Sequence, residues 1–352
     1  MDNSVNQLNS SRRESPVSGL RRNLQKIQIA ISCLYLVLVL SAWLTLQWAD
    51  LWWPATLLMF SPRWVLALPL AILFPIAILL RSRSVVLLAL TGVIVCWPVM
   101  GLSIPWQRLM NRTSTGKSLR VMTLNMHYSK ADPKLLEDLI NNAELDIVAI
   151  QEWNGHDRAA LRSASGWHVH STPKLFLASR YPIKKTAELG GESSGEHASV
   201  THYVLDTTVG VIHVFNLHLA TSRESINETI HENPEGATAL RANSELRLKQ
   251  SAYVAGKAAE CQGPLLIVGD FNTPPESTIF AEVWSGYKDA FKSAGWGWGY
   301  TFIGAKTTVR IDHILARKGL ACVKCRVGPN VGSPHRPVIA ELVWTGDDGK
   351  EG

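Results

Sequence analysis

The pattern of apolar and polar positions divides the chain near residue 119. From residue 27 to about residue 104 charges are almost absent, and three apolar runs follow one another. Residues 27–48 are long enough to cross a bilayer, for which about 20 residues are needed. Residues 64–80 and 85–104 read as a second and a third span. Pro69 and Pro75 are tolerable in the second, because neighbouring helices can satisfy freed carbonyls. Trp48, Trp52 and Trp53 flank the first connection, as aromatic residues do at a membrane interface. A signal peptide is the rival reading of the first run. It is opposed by the run's length, the lack of a small-x-small cleavage site and the apolar segments that follow.

Beyond residue 119 the periods become those of an α/β domain. Leu119 to His127 alternates and presents Asn125 at its end, a strand pattern. Asp132-Pro133 is an N-cap followed by a proline at the first helical position, with Leu135, Leu136, Leu139 and Ile140 as the apolar face. Residues 145–152 form a second strand that ends in Gln151-Glu152. Strand, helix, strand implies a parallel pair, which brings Asn125 and Glu152 out at one sheet edge. Residues 174–179, a turn into Ile183, and the pair 199–206 and 210–217 are further strands. His202 and His213 fall in mid-strand and read as packing or exposed residues, whereas His218 ends its strand. Residues 220–237 are polar and read as a long loop, either a lid or a surface insertion. A helix over 238–260 has Leu240, Leu246, Ala252 and Val254 inside. It leads into the apolar strand from Leu265, which closes in Gly269-Asp270-Phe271-Asn272-Thr273-Pro274. Residues 295–300, a Gly/Trp run, form a loop. A strand carrying Asp312 and a loop carrying His335 complete the chain.

Composition sharpens the division. The first 118 residues hold 11 Lys/Arg against 3 Asp/Glu, and the remainder holds 24 against 26. The basic excess thus belongs to the membrane-proximal part. The globular part, at −2, lacks the positive field of a general duplex nucleic-acid binder. Domain boundaries follow: a cytoplasmic polar tail over 1–26, a membrane region with about three helices over 27–106, a linker over 107–118, a globular domain over 119–345 and a tail over 346–352. Five Lys/Arg in the tail, with Arg81 and Arg83, put the N-terminus inside and the domain outside, in the periplasm. Arg108, Arg112 and Lys117 count against that sign. Of five cysteines, Cys322 and Cys325 form Cys-x-x-Cys without a second pair for zinc. On a regular strand they would face opposite sides. Cys261 reads as structural.

The polar residues at strand ends are Asn125, Glu152, His218, Asp270, Asn272, Asp312 and His335. They are acids, amides and imidazoles, with no Ser or Cys nucleophile beside a base. Such a set suits attack of water on a phosphate ester with a hard divalent cation. A lone Asp-x-Asn more often closes an Asx-turn, and a lone strand-end Glu is more often a cap.

The set as a whole resembles the endonuclease/exonuclease/phosphatase superfamily, the DNase I-like proteins. The resemblance rests on Thr123-Leu-Asn125, Ile150-Gln-Glu152, Ser179-Arg-Tyr-Pro-Ile183, Asn216-Leu-His218-Leu, Gly269-Asp270-Phe-Asn272, Arg310-Ile-Asp312-His-Ile and Ser333-Pro-His335-Arg-Pro-Val338, in the family's order. It implies a four-layer α/β sandwich of two facing mixed sheets flanked by helices, here preceded by transmembrane helices in a bacterial inner-membrane protein. It implies Mg²⁺, with Mn²⁺ as substitute, held by Glu152 with Asn125 beside it. His218 would contact the scissile phosphate, Asp270 would handle the attacking water and Asn272 would hold a phosphoryl oxygen. Asp312 would orient His335, which would stabilise the transition state. The activity implied is that of a phosphodiesterase or phosphatase, and membrane tethering with a domain charge of −2 favours a lipid or small phosphoester over duplex DNA. A nuclease on extracytoplasmic nucleic acid and a catalytically silent binding module are the alternatives. The implied partners are the bilayer and the phosphoester, and the oligomeric state is open.

The chain has Ser333-Pro334-His335 where the family usually has Ser-Asp-His, so one carboxylate proposed to help bind metal is missing. Pro334→Asp is expected to leave turnover undiminished. A sharp loss of turnover with the fold intact would overturn this alignment of the loop.

Overall fold

The computed structural model describes residues 16–106, 117–128, 131–153, 166–189, 198–232, 234–304 and 307–345. The first part of the polar tail with Arg12 and Arg13, the linker positions Arg108 and Arg112, and the tail from residue 346 lie outside the described residues. The chain forms two compact units. One comprises residues up to Ser41 and Trp64–Cys96, the other Ala42–Arg63 and everything from Trp97 onward.

The N-terminal unit is helical. Helix α1 runs Pro16–Leu46, and its portion Gly19–Leu46 is the one described helix long and apolar enough to cross a membrane. Helix α2 (Trp53–Phe60) belongs to the second unit, and α3 (Leu68–Leu79) to the first. They meet the same criterion only when counted together. Helix α4 (Ser84–Ile94) continues as a π-helical turn over Val95–Val99 and is shorter than a span. Pro98 inside that turn removes a backbone donor, which favours the wider winding.

The second unit is the expected sandwich. Its elements are β1 (Ser118–Asn125), α5 (Pro133–Asn142), β2 (Ile147–Gln151), β3 (His168–Ser171), β4 (Leu175–Ser179), β5 (Ile183–Glu188), β6 (Ser199–Thr207), β7 (Gly210–His218), α6 (Arg223–Glu232), α7 (Pro234–Glu260), β8 (Leu265–Asp270), α8 (Thr278–Val283), β9 (Lys288–Asp289), α9 (Ala290–Ala294), β10 (Phe302–Ile303), β11 (Thr308–Val309), β12 (Asp312–Arg317), β13 (Leu320–Val327) and β14 (Val338–Trp344). One six-stranded sheet has the order β13-β14-β1-β2-β4-β3, the other β5-β6-β7-β8-β12-β9. Each is mixed, with one parallel pair, β1–β2 and β7–β8, among antiparallel neighbours.

Alternation along the strands sorts side chains into layers. Leu119, Val121, Ile147 and Ala149 face Tyr203, Leu205, Val214, Leu266 and Ile314 across the inter-sheet core. Met122, Leu124, Val148 and Ile150 pack outward on Leu136, Leu139 and Ile140 of α5. Phe215, Leu217 and Ile267 pack outward on Val254 and Ala258 of α7. Strand β2 is buried on both faces, as a central strand must be. The exposed edge strand β5 carries Lys184 and Lys185, charges that discourage edge pairing.

Two sequence expectations change. Residues 220–237 are not a loop but two helices, α6 and the start of α7. Thr229 Oγ1 donates to Ser225 O and Gly236 O, and a Cβ at Gly236 would sit 2.4 Å from the Thr229 backbone. This close approach makes a helical turn of a polar, glycine-containing segment. The Cys322/Cys325 pair does not face opposite sides. A β-bulge between Cys322 and Lys324 adds a residue and turns both thiols into the inter-sheet core, where both remain free.

Residues 42–63 are a structural part of the second unit. Asp50, at φ 67°, accepts from Arg247 Nη2 at 2.7 Å and Ser244 Oγ at 3.2 Å, and also from Ser277 Oγ. Thr278 Oγ1 donates to Ala49 O at 2.8 Å, and Arg63 pairs with Glu276 at 3.1 Å. The Asp50 and Arg247 side chains are 3% and 0% exposed, so neither ion can be left alone cheaply. Asp50→Ala is expected to destabilise this unit by about 3–5 kcal/mol, read as a lowered melting temperature of the full chain. Asp50→Leu with Arg247→Met should recover most of the loss. An unchanged melting temperature in the single variant would refute the buried pair.

Candidate active site

Strand register brings the polar strand ends to one edge. Asn125 pairs with Gln151 in β1–β2, and His218 pairs with Asp270 in β7–β8. Asp312 opens β12 opposite Asp270. Glu152 follows β2 with φ 51°, and Asn272 follows β8 with φ 47°, left-handed conformations that re-aim each side chain. Gly269 has φ 141°, and a Cβ there would meet Leu217 O at 2.0 Å, so only glycine lets β8 approach β7 here.

All seven predicted residues converge. Asn125 Nδ2 donates to Glu152 Oε1 at 3.0 Å and to Asp270 Oδ2 at 2.9 Å, while Asn125 Oδ1 accepts from His127 N at 2.8 Å. His218 Nε2 lies 3.5 Å from Glu152 Oε1 and 3.8 Å from Asp270 Oδ2. His335 Nδ1 lies 3.0 Å from Asp312 Oδ2, which fixes Nδ1 as the donor, since an ionised carboxylate only accepts. His335 Nε2 then faces Asp270 Oδ2 at 3.9 Å. Asn272 Nδ2 donates to Leu219 O at 2.9 Å, and its backbone N–H donates to Asp270 Oδ1 at 2.9 Å.

Burial and neighbouring charge set the protonation states. Burial, then the Asp312 carboxylate, raises Asp270 to about 7, against the pull of His335 and the hydrogen bonds from Asn125 and Asn272. Burial opposes a charge on His335, but Asp312, Asp270 and Glu152 outweigh it and raise the imidazole to about 9. Burial lowers His218 to about 4 despite Glu152, with His335 adding to the effect. Near neutral pH one imidazole is therefore charged and the other is not.

Several supporting residues were not picked out as site residues in the sequence. Gln151 Nε2 donates to Thr123 Oγ1 at 3.0 Å and Asn216 Oδ1 at 2.7 Å. Asn216 Nδ2 reaches back to Ile150 O and Phe176 O, tying the two sheets under the site. A glutamine inside a doubly buried strand must find such partners, and that was the available signal. Thr301 Oγ1 accepts from the backbone of Ile311 and Asp312. Ser333 Oγ donates to Asn125 O at 2.7 Å and accepts from His335 N, joining the His335 loop to β1. The cleft above has a volume of about 450 Å³, and Phe60, Tyr128, Lys174, Arg223 and Phe302 join the site residues around it.

The donors suit a hard cation. Glu152 Oε2 and Asp312 Oδ1 are buried and make no hydrogen bond. Oxygen-rich donors with unfilled lone pairs are the chemistry of an Mg²⁺ site.

The family model for the Endonuclease/Exonuclease/phosphatase family matches residues 122–335, more than half the chain. A solved structure of an endonuclease/exonuclease/phosphatase family protein from Bacteroides thetaiotaomicron is 17% identical, covers 68% of this chain and 100% of its own, and superposes with a TM-score of 0.52. D. rerio TDP2 complexed with single strand DNA product is 13% identical over 64% of this chain and 99% of its own, at 0.52. Truncated Caenorhabditis elegans TDP2 is 17% identical over 64% and 98%, at 0.51. At these identities the likeness is one of fold. No curated protein sequence matches the chain.

Asp312 supplies the largest upward pull on His335. In Asp312→Asn the His335 imidazole should titrate well below about 9, because burial is then opposed only by the weaker pulls of Asp270 and Glu152. Imidazole proton resonances followed against pH measure this. An unmoved titration would break the assigned pair.

Proposed function

Because the chain belongs to the endonuclease/exonuclease/phosphatase family, we propose that it is a membrane-anchored, Mg²⁺-dependent phosphoester hydrolase whose catalytic domain lies outside the cytoplasm. The observation that carries this reading is the Asn125 amide spanning Glu152 and Asp270, carboxylates from different sheets, beside the Asp312–His335 pair.

Each residue has a task in that reaction. Glu152, with Asn125 beside it, holds the cation, which when bound neutralises charge on the phosphoryl oxygens. Asp270 Oδ2 takes the proton of the attacking water as the new P–O bond forms. His335, held charged by Asp312, directs Nε2–H at the phosphoryl group and donates its proton to the leaving oxygen as the old P–O bond breaks. The neutral His218 and the Asn272 amide contribute hydrogen bonds to phosphoryl oxygens. Pro334 supplies no carboxylate, so Glu152 is the principal ligand.

The membrane reading draws on the apolar α1 and on residues 42–63. That segment packs into the catalytic unit and carries Trp48, Trp52 and Trp53, all well exposed. Since it also joins the first apolar run to the second, the domain and this connection share one side of the bilayer, away from Arg21, Arg22 and Lys26. Exposed indoles in the same unit as the cleft, Phe60 in the cleft wall and a domain charge of −2 favour a lipid or small phosphoester over duplex DNA. A nuclease remains the second reading, because one structural relative is described with a single strand DNA product.

The test uses the full chain in detergent with Mg²⁺, offered bis-p-nitrophenyl phosphate, sphingomyelin or phosphoinositide vesicles, and plasmid DNA. Hydrolysis should disappear with a chelator, and should fall about 10²–10⁴-fold in Glu152→Ala and in His335→Ala. Activity that survives both substitutions sinks the mechanism. Steep loss of DNA cleavage as salt rises, with vesicles untouched, would select the nuclease. Asp270 works deprotonated and His335 protonated. The rate should therefore rise as pH passes about 7 and fall as it passes about 9. A flat profile over that range would remove both assignments.

A further inference from the structure

Away from the catalytic edge, a second group of metal-ligating side chains comes together. His202 of β6 and His213 of β7 lie diagonally on paired strands, two positions apart in register, since His202 pairs with Phe215 and Val204 with His213. They occupy the face that carries Phe215 and Leu217 beneath α7, and Cys261 follows the last residue of that helix. His202 Nε2 is 2.9 Å from His213 Nδ1 and 3.8 Å from Cys261 Sγ, and all three ligand atoms lie within 4.8 Å of one another. A tetrahedral zinc with bonds of about 2.0–2.1 Å to nitrogen and 2.3 Å to sulfur has an N–N edge of about 3.3 Å and an N–S edge of about 3.6 Å. The observed spacings fall within a few tenths of an ångström of both.

We infer that His202, His213 and Cys261 form a binding site for a borderline divalent metal ion of the Zn²⁺ class, separate from the catalytic cation. The competing account is a hydrogen-bonded histidine pair with the thiol as packing. Three features favour the metal. Two imidazoles and a thiol are the donor set that borderline ions take, whereas Mg²⁺ takes oxygen. The two rings are only half-buried, which leaves an open side for a fourth ligand such as water. The site also lies at the C-terminal, negative end of α7, where Lys318 Nζ already donates to Cys261 O. Burial and the neighbouring His213 hold His202 down to about 4, and burial, with Lys318, also lowers His213, so both rings are neutral and available at neutral pH.

Lys318 is the opposing charge, and Glu260 is an acid close enough to act on Cys261. Binding removes the Cys261 thiol proton, so the thiolate offsets the lysine. The ring protons then reside on His202 Nδ1 and His213 Nε2. The bound ion would tie the end of α7 to β6 and β7. It would lie about 17 Å along β7 from His218, at about 3.3–3.4 Å per residue. Because α7 also carries Arg247, an ion here would brace the helix that anchors residues 42–63.

The experiment uses the full chain in detergent, stripped of metal and titrated with Co²⁺ alone, then with Zn²⁺. Expected are one cobalt per chain with a thiolate-to-cobalt charge-transfer band and strong tetrahedral visible bands, and displacement by Zn²⁺ with a rise in melting temperature. Cys261→Ser should lose the charge-transfer band and the thermal shift. His213→Gln should weaken binding about tenfold or more. Mg²⁺-dependent hydrolysis should be unchanged in both. Absence of the band in the wild-type chain overturns the proposal. So does a band that persists in Cys261→Ser and vanishes in Cys322→Ala, which would assign it to the other thiols. If Cys261→Ser does not fold, His213→Gln decides.

Discussion

The site depends on one amide. Asn125 sits at the end of β1 and gives one N–H to Glu152 of its own sheet and the other to Asp270 of the facing sheet. A buried carboxylate needs a donor, and this amide supplies one to each of the two. The remainder of the polar architecture supports that amide. His127 N–H engages its oxygen, Ser333 Oγ engages its backbone carbonyl, and Gln151 with Asn216 ties the sheets beneath it. The two sheets are thus held together by apolar packing in the middle and by hydrogen bonds at the catalytic edge.

Opposite charge states follow from the same geometry. Asp312 has His335 within hydrogen-bond distance and Asp270 across the β8–β12 register. It therefore pulls the imidazole up and pushes Asp270 up as well. A base near neutrality beside an acid above it is what a hydrolytic site needs, and it arises without any residue type beyond Asp and His. The Asp50–Arg247 clasp adds a second dependence. Arg247 also donates to Asn272 O at 3.3 Å, so the connection that precedes α2 and the loop after β8 share one guanidinium. Residues far upstream of the catalytic sequence therefore contribute to the support of Asp270.

Much of this was legible in the chain. The β1–α5–β2 unit followed from Asp132-Pro133 and the strand patterns around it, and the N-cap is present as read, with Asp132 accepting from Lys134 N and Leu135 N. All seven strand-end residues could be named, because polar groups that close apolar strands stand out. Less was legible where the deciding contact is distant or breaks a period. The α6–α7 hairpin turns on Gly236 against Thr229, and the Cys322–Cys325 orientation on a bulge that shifts the strand by one residue. Nothing local marks Asp50 as a buried partner, since Arg247 lies almost two hundred positions away.

The sequence by itself determined which residues end the strands and which chemistry they can offer, because period and residue type are local properties. The tertiary structure decided which carboxylates face each other, which histidine carries charge, and that residues 42–63 belong to the catalytic unit. Those outcomes depend on distance and burial between segments remote in the chain. Coulomb energy and desolvation act through space, and no local pattern encodes that space.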